Sequence, residues 1–350
     1  MPRQLMMVAP GELGIGEYQL PEVGEGRVRV QSQFASAKHG TEMAGFKGYA
    51  RGRGRYDKEL GVFVKSAEPE RPFTPHPVGG NMFVGAVTEV GAGVTGFAVG
   101  DRVLSYGGFR EVQTVAASRL WKMPDGLSWK SAVCLDPADF AMAAVRDGNV
   151  RVGDAVAVFG MGAIGLMAVQ IARLSGASPV IAVEPLANRR KAARACGADL
   201  VLDPTAGDVG LEIRLATRAP ADRRARGVDV AIEYSGSVHA LAAAIRGVAF
   251  GGNVVAGAFP PPYGPGLDLG AEAHQNRPNI IFSRACSDPN RDHPRWDELR
   301  IYEVCWRLIV EGKLSGEEVV SPVVPFEKLP TEYPKIATAP ETNIKLGVEF

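Results

Sequence analysis

Cysteine is scarce in this chain, and its placement excludes a disulfide frame. The four cysteines, Cys134, Cys196, Cys286 and Cys305, lie far apart with no CxxC pair. Two fall inside predicted helices, which reads as reduced, buried thiols of a cytoplasmic protein. Net charge is lacking too: 39 Lys and Arg balance 39 Asp and Glu. That removes the electrostatic case for nucleic acid or an acidic membrane surface as partner. No apolar run is long enough to span a bilayer. The opening MPRQLMMVAPGELGIGE has too short an apolar stretch for a secretion signal, and neither a repeat nor a low-complexity tract is present. What remains is 350 residues of ordinary globular composition, enough for about two domains.

The organising stretch is 152–184, VGDAVAVFGMGAIGLMAVQIARLSGASPVIAVE. Residues 155–159 form a short apolar run, rich in small and β-branched side chains, that predicts a buried parallel strand. The turn Gly160-Met161-Gly162-Ala163-Ile164-Gly165 follows. Residues 166–174 repeat apolar side chains at helical spacing, and Ser175-Gly176-Ala177 ends that helix. A second strand, Val180–Val183, stops on Glu184. Gly160 allows a sharp turn, Gly162 lets a pyrophosphate approach the backbone, and Gly165 lets helix and strand pack closely. The helix N-terminus offers unpaired N–H groups to phosphates. Glu184 stands where a carboxylate accepts hydrogen bonds from ribose hydroxyls and repels a 2′-phosphate, which favours NAD over NADP. Arg189 and Arg190 nearby work against that preference.

Before this stretch the chain reads as mostly β. Residues 5–9 and 27–32 alternate apolar and polar residues, and 83–90 and 101–104 are further strands joined by turn-rich GAGVTGFAVG. Residues 50–70, basic then acidic, predict an exposed loop or short helix. Residues 129–150 predict helix. From 151 to about 283 strands and helices alternate, as in a doubly wound parallel sheet: helices at 188–196 and 240–248, strands at 201–202, Val228–Glu233 and 253–256, the last entered through a Gly251-Gly252 turn. Residues 296–312 predict an amphipathic helix, and 319–324 and 344–348 predict strands that return to the first domain.

The landmarks Gly40-Thr41-Glu42, Gly85 with Glu89-Val90-Gly91, Gly100-Asp101-Arg102-Val103, the glycine turn, Gly197-Ala198-Asp199, Gly227-Val228-Asp229, Gly251-Gly252 and Ile344-Lys345 together resemble the medium-chain dehydrogenase/reductase superfamily, of the zinc alcohol and polyol dehydrogenase type. The resemblance covers nearly the whole chain. It implies an α/β protein in which a Rossmann domain (137–283) is inserted into a β-rich, GroES-like catalytic domain (1–136, with 284–350 returning to it). It also implies a homodimer or homotetramer. The metal positions depart from the family pattern. His39 replaces the cysteine before Gly-Thr-Glu, Gly80-Asn81-Met82 replaces Gly-His-Glu, and Asp136-Pro137 matches the third ligand. The four-cysteine structural lobe is missing: 104–111 reads LSYGGFRE. Zinc prefers Cys, His and carboxylate ligands, so the expectation is no catalytic zinc, with His39 and Asp136 the ligands if one binds. This pattern is closer to the bacteriochlorophyllide dehydrogenase-like branch.

Without a metal, side chains must polarise the substrate oxygen and exchange its proton. Thr41 matches the family's hydroxyl relay, but the relay histidine is Ala44 here. His39 is therefore the leading acid/base residue, with Asp136 orienting it or binding a hydroxyl, and the alternative for each is a structural role. Lys38, Asn81, Asn290 and Arg291 are the substrate candidates, because a polar, arginine-rich cleft suits a polyhydroxylated or anionic ligand. The resemblance carries cofactor contacts onto Met161, Ala163, Ile164, Glu184, Arg189, Ser235, Gly257, Ala258, Phe259, Ser283 and Lys345, the last near the phosphates. The reaction expected is NAD-dependent interconversion of a secondary alcohol, such as a sugar or polyol, and its ketone. The alternatives are an NADPH-dependent quinone or enoyl reductase and a dinucleotide-binding protein without activity.

Overall fold

The structure, a computed structural model, describes residues 1–46, 54–65, 73–217, 226–285 and 290–350; the side chains of Thr41 and of residues 44–46 lie outside that description. The chain divides into two compact units, Met1–Trp129 with Ser321–Phe350, and Lys130–Val320.

The first unit is built on strands because its apolar residues alternate. In order come β1 (Arg3–Ala9), β2 (Glu12–Glu17), β3 (Arg27–Ser36), α1 (His39–Phe46), β4 (Arg55–Asp57), β5 (Val62–Val64), β6 (His76–Pro77), β7 (Met82–Val90), β8 (Arg102–Tyr106), β9 (Val112–Ala116) and β10 (Trp121–Lys122). Along β3, Val28, Val30 and Ser32 turn inward while the residues between them face outward, the period of two that a half-buried strand requires. The main sheet runs β10-β8-β7-β3 and continues through two C-terminal strands. Its core gathers Val28, Val30, Phe83, Phe109, Tyr333 and Leu346. The stretch expected as loop or helix around 50–70 contains, where described, a hairpin: β4 and β5 pair antiparallel, with Tyr56 edge-on to Phe63 at 5.2 Å. Asp57 Oδ1 closes it by accepting the Glu59 and Leu60 N–H groups, an Asx-type turn that competes with helix.

The second unit begins with α2 (Trp129–Ala132) and α3 (Leu135–Asp147), so the single helix expected over 129–150 is broken in two. Then follow β11 (Val156–Phe159), α4 (Ala163–Leu174), β12 (Val180–Val183), α5 (Ala187–Ala195), β13 (Leu200–Leu202), α6 (Val209–Ala216), β14 (Val228–Glu233), α7 (Val238–Gly247), β15 (Val248–Ala256), α8 (Glu272–Asn276), β16 (Asn279–Phe282) and α9 (Glu298–Val310). The six strands are all parallel in the order β13-β12-β11-β14-β15-β16. Every residue of β11 and β12 is buried, as expected of strands covered on both faces. The chain leaves the middle toward one edge and restarts in the middle, so the direction of winding switches between β11 and β14, where doubly wound sheets take their ligands. Gly251-Gly252 is no turn into a strand: β15 already runs from Val248 and shifts register against β14 there. Four elements complete the first unit: β17 (Val320–Pro325), two short helices α10 (Leu329–Glu332) and α11 (Lys335–Thr338), and β18 (Lys345–Glu349).

The divisions at 129/130 and 320/321 differ from those expected at 136/137 and 283/284. The cause is packing: α3 and α9 lie against each other, and Ile301, Cys305 and Ile309 are buried on one side of α9. The free thiols Cys134, Cys196 and Cys305 sit in or beside this unit's helices; Cys286 lies outside the described residues.

Candidate active site

The glycine turn sits at the C-terminal end of β11, beside the winding switch. Gly160 has φ +89°, and a side chain there would come within 2.7 Å of the Ser235 backbone nitrogen. Only glycine takes that conformation without cost. A Cβ on Gly165 would collide with the Gly160 carbonyl oxygen, so this glycine is required for α4 to start against its own strand. Gly162 differs: it is the N-cap of α4 at φ −76°, and a Cβ there would meet nothing within 4 Å. The protein needs no glycine at Gly162 for its own packing, which leaves space above the backbone where Ala163, Ile164 and Gly165 present the first N–H groups of the helix. Such a cradle fits a pyrophosphate by shape and by the helix dipole.

Glu184, 3% exposed, closes the turn from the end of β12. One carboxylate oxygen accepts the Met161 N–H at 2.7 Å and the other the Leu186 N–H at 3.1 Å. The acid therefore braces the glycine turn as well as charging its surroundings. The two neighbouring arginines separate. Arg190 is committed, donating to the Glu184 and Pro185 carbonyls and pairing with Asp203 at 2.9 Å. Arg189 is half-buried beside Glu184, and burial lowers its pKa against the pull of that carboxylate.

Across the switch, Glu233 ends β14. One of its oxygens accepts the backbone N–H groups of Ser235 and Gly236, at 2.6 and 2.9 Å, and the Ser235 hydroxyl. Burial raises its pKa while these bonds lower it. Glu233 was not singled out from sequence; its position at the end of the strand facing the glycine turn was the available signal. Ser235 is thereby held against Gly160. Gly257 leaves β15 under the Tyr234 ring, where a Cβ would lie 2.5 Å from ring carbons. Ala258 and Phe259 continue from it, with Phe259 59% exposed. Ser283, buried, follows β16 with its N–H on the Ala256 carbonyl.

Within the first unit, polar side chains converge between the start of α1 and β18. His39 Nε2 accepts the Leu346 N–H at 2.9 Å. That nitrogen carries no proton in this arrangement, and the ring takes one up there only by giving up the bond to β18. Lys345 is 2% exposed, and its ammonium donates to the Ala37 carbonyl at 2.8 Å and to Asn81 Oδ1 at 2.9 Å. Glu42 accepts the Lys38 N–H and the Tyr333 hydroxyl, both at 2.6 Å. Desolvation pushes Glu42 up to about 7, opposed by these two bonds and by the charges of Lys345 and Lys38. Neither Glu42 nor Tyr333 was singled out from sequence, although Glu42 stands in the Gly40-Thr41-Glu42 landmark. The relay expected at Thr41 rests on a side chain outside the description. Asp136 lies in the second unit, buried in the first turn of α3.

These atoms do not fit a zinc ion. His39 Nε2 is engaged by a backbone N–H, and the oxygen of Asn81 is engaged by an ammonium whose charge opposes a second cation. Among the described residues no three His, Cys, Asp or Glu side chains gather as a metal site. The remaining substrate candidates also separate. Asn290 Oδ1 accepts the Asp292 N–H in its own loop at 3.0 Å. Arg291 lines a polar cleft of about 1000 Å³ with Arg146, Asp147, Asn253, Asn279 and Asp292. Asn253 and Asn279 pair at the level where β11 begins, so Arg291 stands at the edge of the sheet opposite the glycine turn.

A doubly wound sheet with this braced glycine turn defines a dinucleotide-dependent dehydrogenase. The description "Zinc-binding dehydrogenase" matches residues 163–292, and "Alcohol dehydrogenase GroES-like domain" matches 55–125. The chain belongs to this zinc-type alcohol dehydrogenase family of medium-chain dehydrogenase/reductases and is an oxidoreductase. It is 42% identical to D-guloside 3-dehydrogenase of Escherichia coli K12, over 99% of this chain and 100% of that one. It is 33% identical to (R,R)-butanediol dehydrogenase of Bacillus subtilis 168, over 73% of this chain and 78% of that one. The solved 2R,3R-butanediol dehydrogenase of Bacillus subtilis superposes with TM-score 0.77 at 23% identity, all of both chains being covered. An alcohol dehydrogenase of E. coli CFT073 solved with NADH superposes at 0.76 and 19% identity, over 100% of this chain and 99% of that one. A zinc-binding dehydrogenase of Sinorhizobium meliloti 1021 solved with NADP superposes at 0.73 and 20%, with the same coverage. The last three support the fold.

Proposed function

We propose that the protein is an NAD-dependent dehydrogenase that interconverts a ring hydroxyl of a sugar glycoside, or a similar secondary alcohol, and its ketone. The single observation that carries the cofactor half is the glycine turn, where Gly162 leaves room that no described side chain fills while Glu184 braces Met161. NAD is preferred over NADP because Glu184 sets a negative charge at the strand end and Arg190 is already paired with Asp203, leaving a 2′-phosphate with repulsion and one half-buried arginine. The glycoside half rests on the full-length likeness to D-guloside 3-dehydrogenase.

Bound NAD supplies the hydride acceptor. The protein's own residues hold the dinucleotide at the α4 N-terminus and shape the adjoining wall through the Glu233–Ser235 clasp. No metal is assigned a step, because the atoms at those positions are engaged. The test is turnover of a panel of methyl glycosides and polyols with NAD and with NADP, before and after dialysis against a chelator. Ketone formation with NAD that survives chelation is expected; dependence on added zinc refutes the metal-free reading, and no turnover on the whole panel refutes the dehydrogenase.

A homo-oligomer is proposed from the edge strand β16, which exposes 83% of Phe282 and 39% of Ile280 and suits pairing with a second copy. Light scattering that reports a monomer refutes it. Among the described residues no helix is long and apolar enough to cross a membrane. A cytoplasmic setting is proposed from the free thiols, and cell fractionation tests it.

A further inference from the structure

The polar cleft lined by Arg291 lies wholly within the second unit, between the end of α3 and the start of β16. It is not the dinucleotide cradle. Asn253 and Asn279 mark its level, in register with Val230 and through it with Val156 at the start of β11, whereas the glycine turn follows the end of that strand. The two places stand about 13 Å apart along the strands and about 14 Å apart across them. Side chains alternate along β16, so Ile280 and Phe282, its exposed apolar pair, point away from the face that carries Asn279. The charged groups of the cleft divide. Asp292 pairs with both Arg146 and Arg295, and Arg146 also lies over the Trp296 ring at 3.6 Å. Arg291 makes no hydrogen bond or ion pair among the described residues, so its fork of N–H donors has no acceptor there. Asp147 is 8% exposed and forms no ion pair among them either. Burial raises its pKa, and the nearby charge of Arg291 opposes that rise. Asn253 is fixed by donating to the Gly148 carbonyl at 2.8 Å. Asn279 gives its NH₂ to Asn253 Oδ1 at 3.0 Å, which leaves its own amide oxygen as an acceptor.

We propose that this cleft is a second ligand site, which takes an anionic polyhydroxylated molecule, a sugar acid or a sugar phosphate, with Arg291 holding the acid group and Asp147 and Asn279 accepting hydroxyl hydrogens. A guanidinium without a partner binds a carboxylate or phosphate through two parallel N–H bonds. The carboxylate and the amide oxygen on the same wall need donors, and hydroxyl groups supply them without bringing a second cation. A neutral polyol leaves Arg291 unpaired, and a bare anion leaves Asp147 facing like charge. Three arginines against two aspartates make the lining net positive, which favours an anion over a cation. The volume of about 1000 Å³ is ample for a hexose derivative. Arg291 was expected at the substrate; at the far edge of the sheet it meets a ligand of related chemistry at a separate place. No bond is made or broken there, so the site is independent of the dehydrogenase reading.

The test is calorimetric titration of the full chain with D-gluconate, D-glucose 6-phosphate, sorbitol, acetate and inorganic phosphate, each with and without NADH. The variants are Arg291→Ala and Arg291→Lys. Arg291 is exposed, so both should fold, and an unchanged thermal midpoint without ligand checks this. Saturable binding of gluconate or glucose 6-phosphate is expected, at least about tenfold tighter than sorbitol, acetate or phosphate. Which of the two binds more tightly identifies the acid group. Their affinity should fall at least about tenfold in Arg291→Ala and less in Arg291→Lys, which keeps the charge but not the fork. NADH affinity should stay within about twofold of wild type in both variants. The proposal is overturned if neither sugar derivative binds saturably, or if Arg291→Ala binds them as wild type does. Sorbitol or a bare anion binding as tightly as the sugar derivatives overturns it too. So does displacement of the sugar derivatives by NADH, which would put them at the cofactor cradle.

Discussion

Three glycines within a six-residue stretch do three different things, and their substitutions should separate. Gly165→Ala drives a methyl into the Gly160 carbonyl and should destabilise the protein by at least about 1–3 kcal/mol, seen as a lower denaturation midpoint. Gly162→Ala has an ordinary φ and open space. Its stability should stay within about 1 kcal/mol of wild type, while NADH affinity falls at least about tenfold. Equal loss of stability in the two variants would show that the space at Gly162 is not what the backbone geometry says. The glycines and Glu184 were legible in sequence because strand, turn, helix and acid are local and regularly spaced. Lys345 was not. It stands 264 residues from Asn81, and only the pairing of β18 with β3 brings the two together. His39 was visible as a histidine, but its bond to the Leu346 N–H belongs to the same long-range pairing.

At the scale of elements, α1 is tied down by its polar residues. Glu42 reaches back to the Lys38 N–H and across to Tyr333, whose ring meets Phe109 edge-on at 5.9 Å. Its carboxyl is shifted up to about 7 from 4.5, so between those values the folded protein binds more protons than the unfolded chain. The contribution of Glu42 is fully present below pH 4.5 and is lost as pH rises through 7, so stability falls across that window. Denaturant titrations should show a decline of roughly 3 kcal/mol from this group. The decline should flatten in Glu42→Gln; an unchanged slope in that variant would assign the pH dependence elsewhere. Element type was readable where periodicity ran long, as in α4, α9 and β3. It failed at the hairpin of β4 and β5, where strands of three residues carry too little pattern and the Asp57 turn was unrecognised. It failed again at β15, where a register shift hides a continuous strand behind two glycines.

For the whole molecule, the order of a β-rich unit, a doubly wound unit and a C-terminal return was legible because each regime has its own period. The exact seams were not, because α9 joins the second unit through the face it buries, a choice made by packing against α3 rather than by composition. Family membership and oxidoreductase class follow from the whole chain, whereas the proposed cofactor preference rests on one acid after β12 and two arginines in α5. The central claim is that the turn after β11 holds a dinucleotide and that Glu184 selects NAD. The most direct measurement is calorimetric titration of the full chain with NADH and with NADPH. The account predicts saturable binding of NADH, with NADPH at least about tenfold weaker and the gap narrowed in Glu184→Ala. Equal or tighter binding of NADPH, or no heat with either, would contradict it.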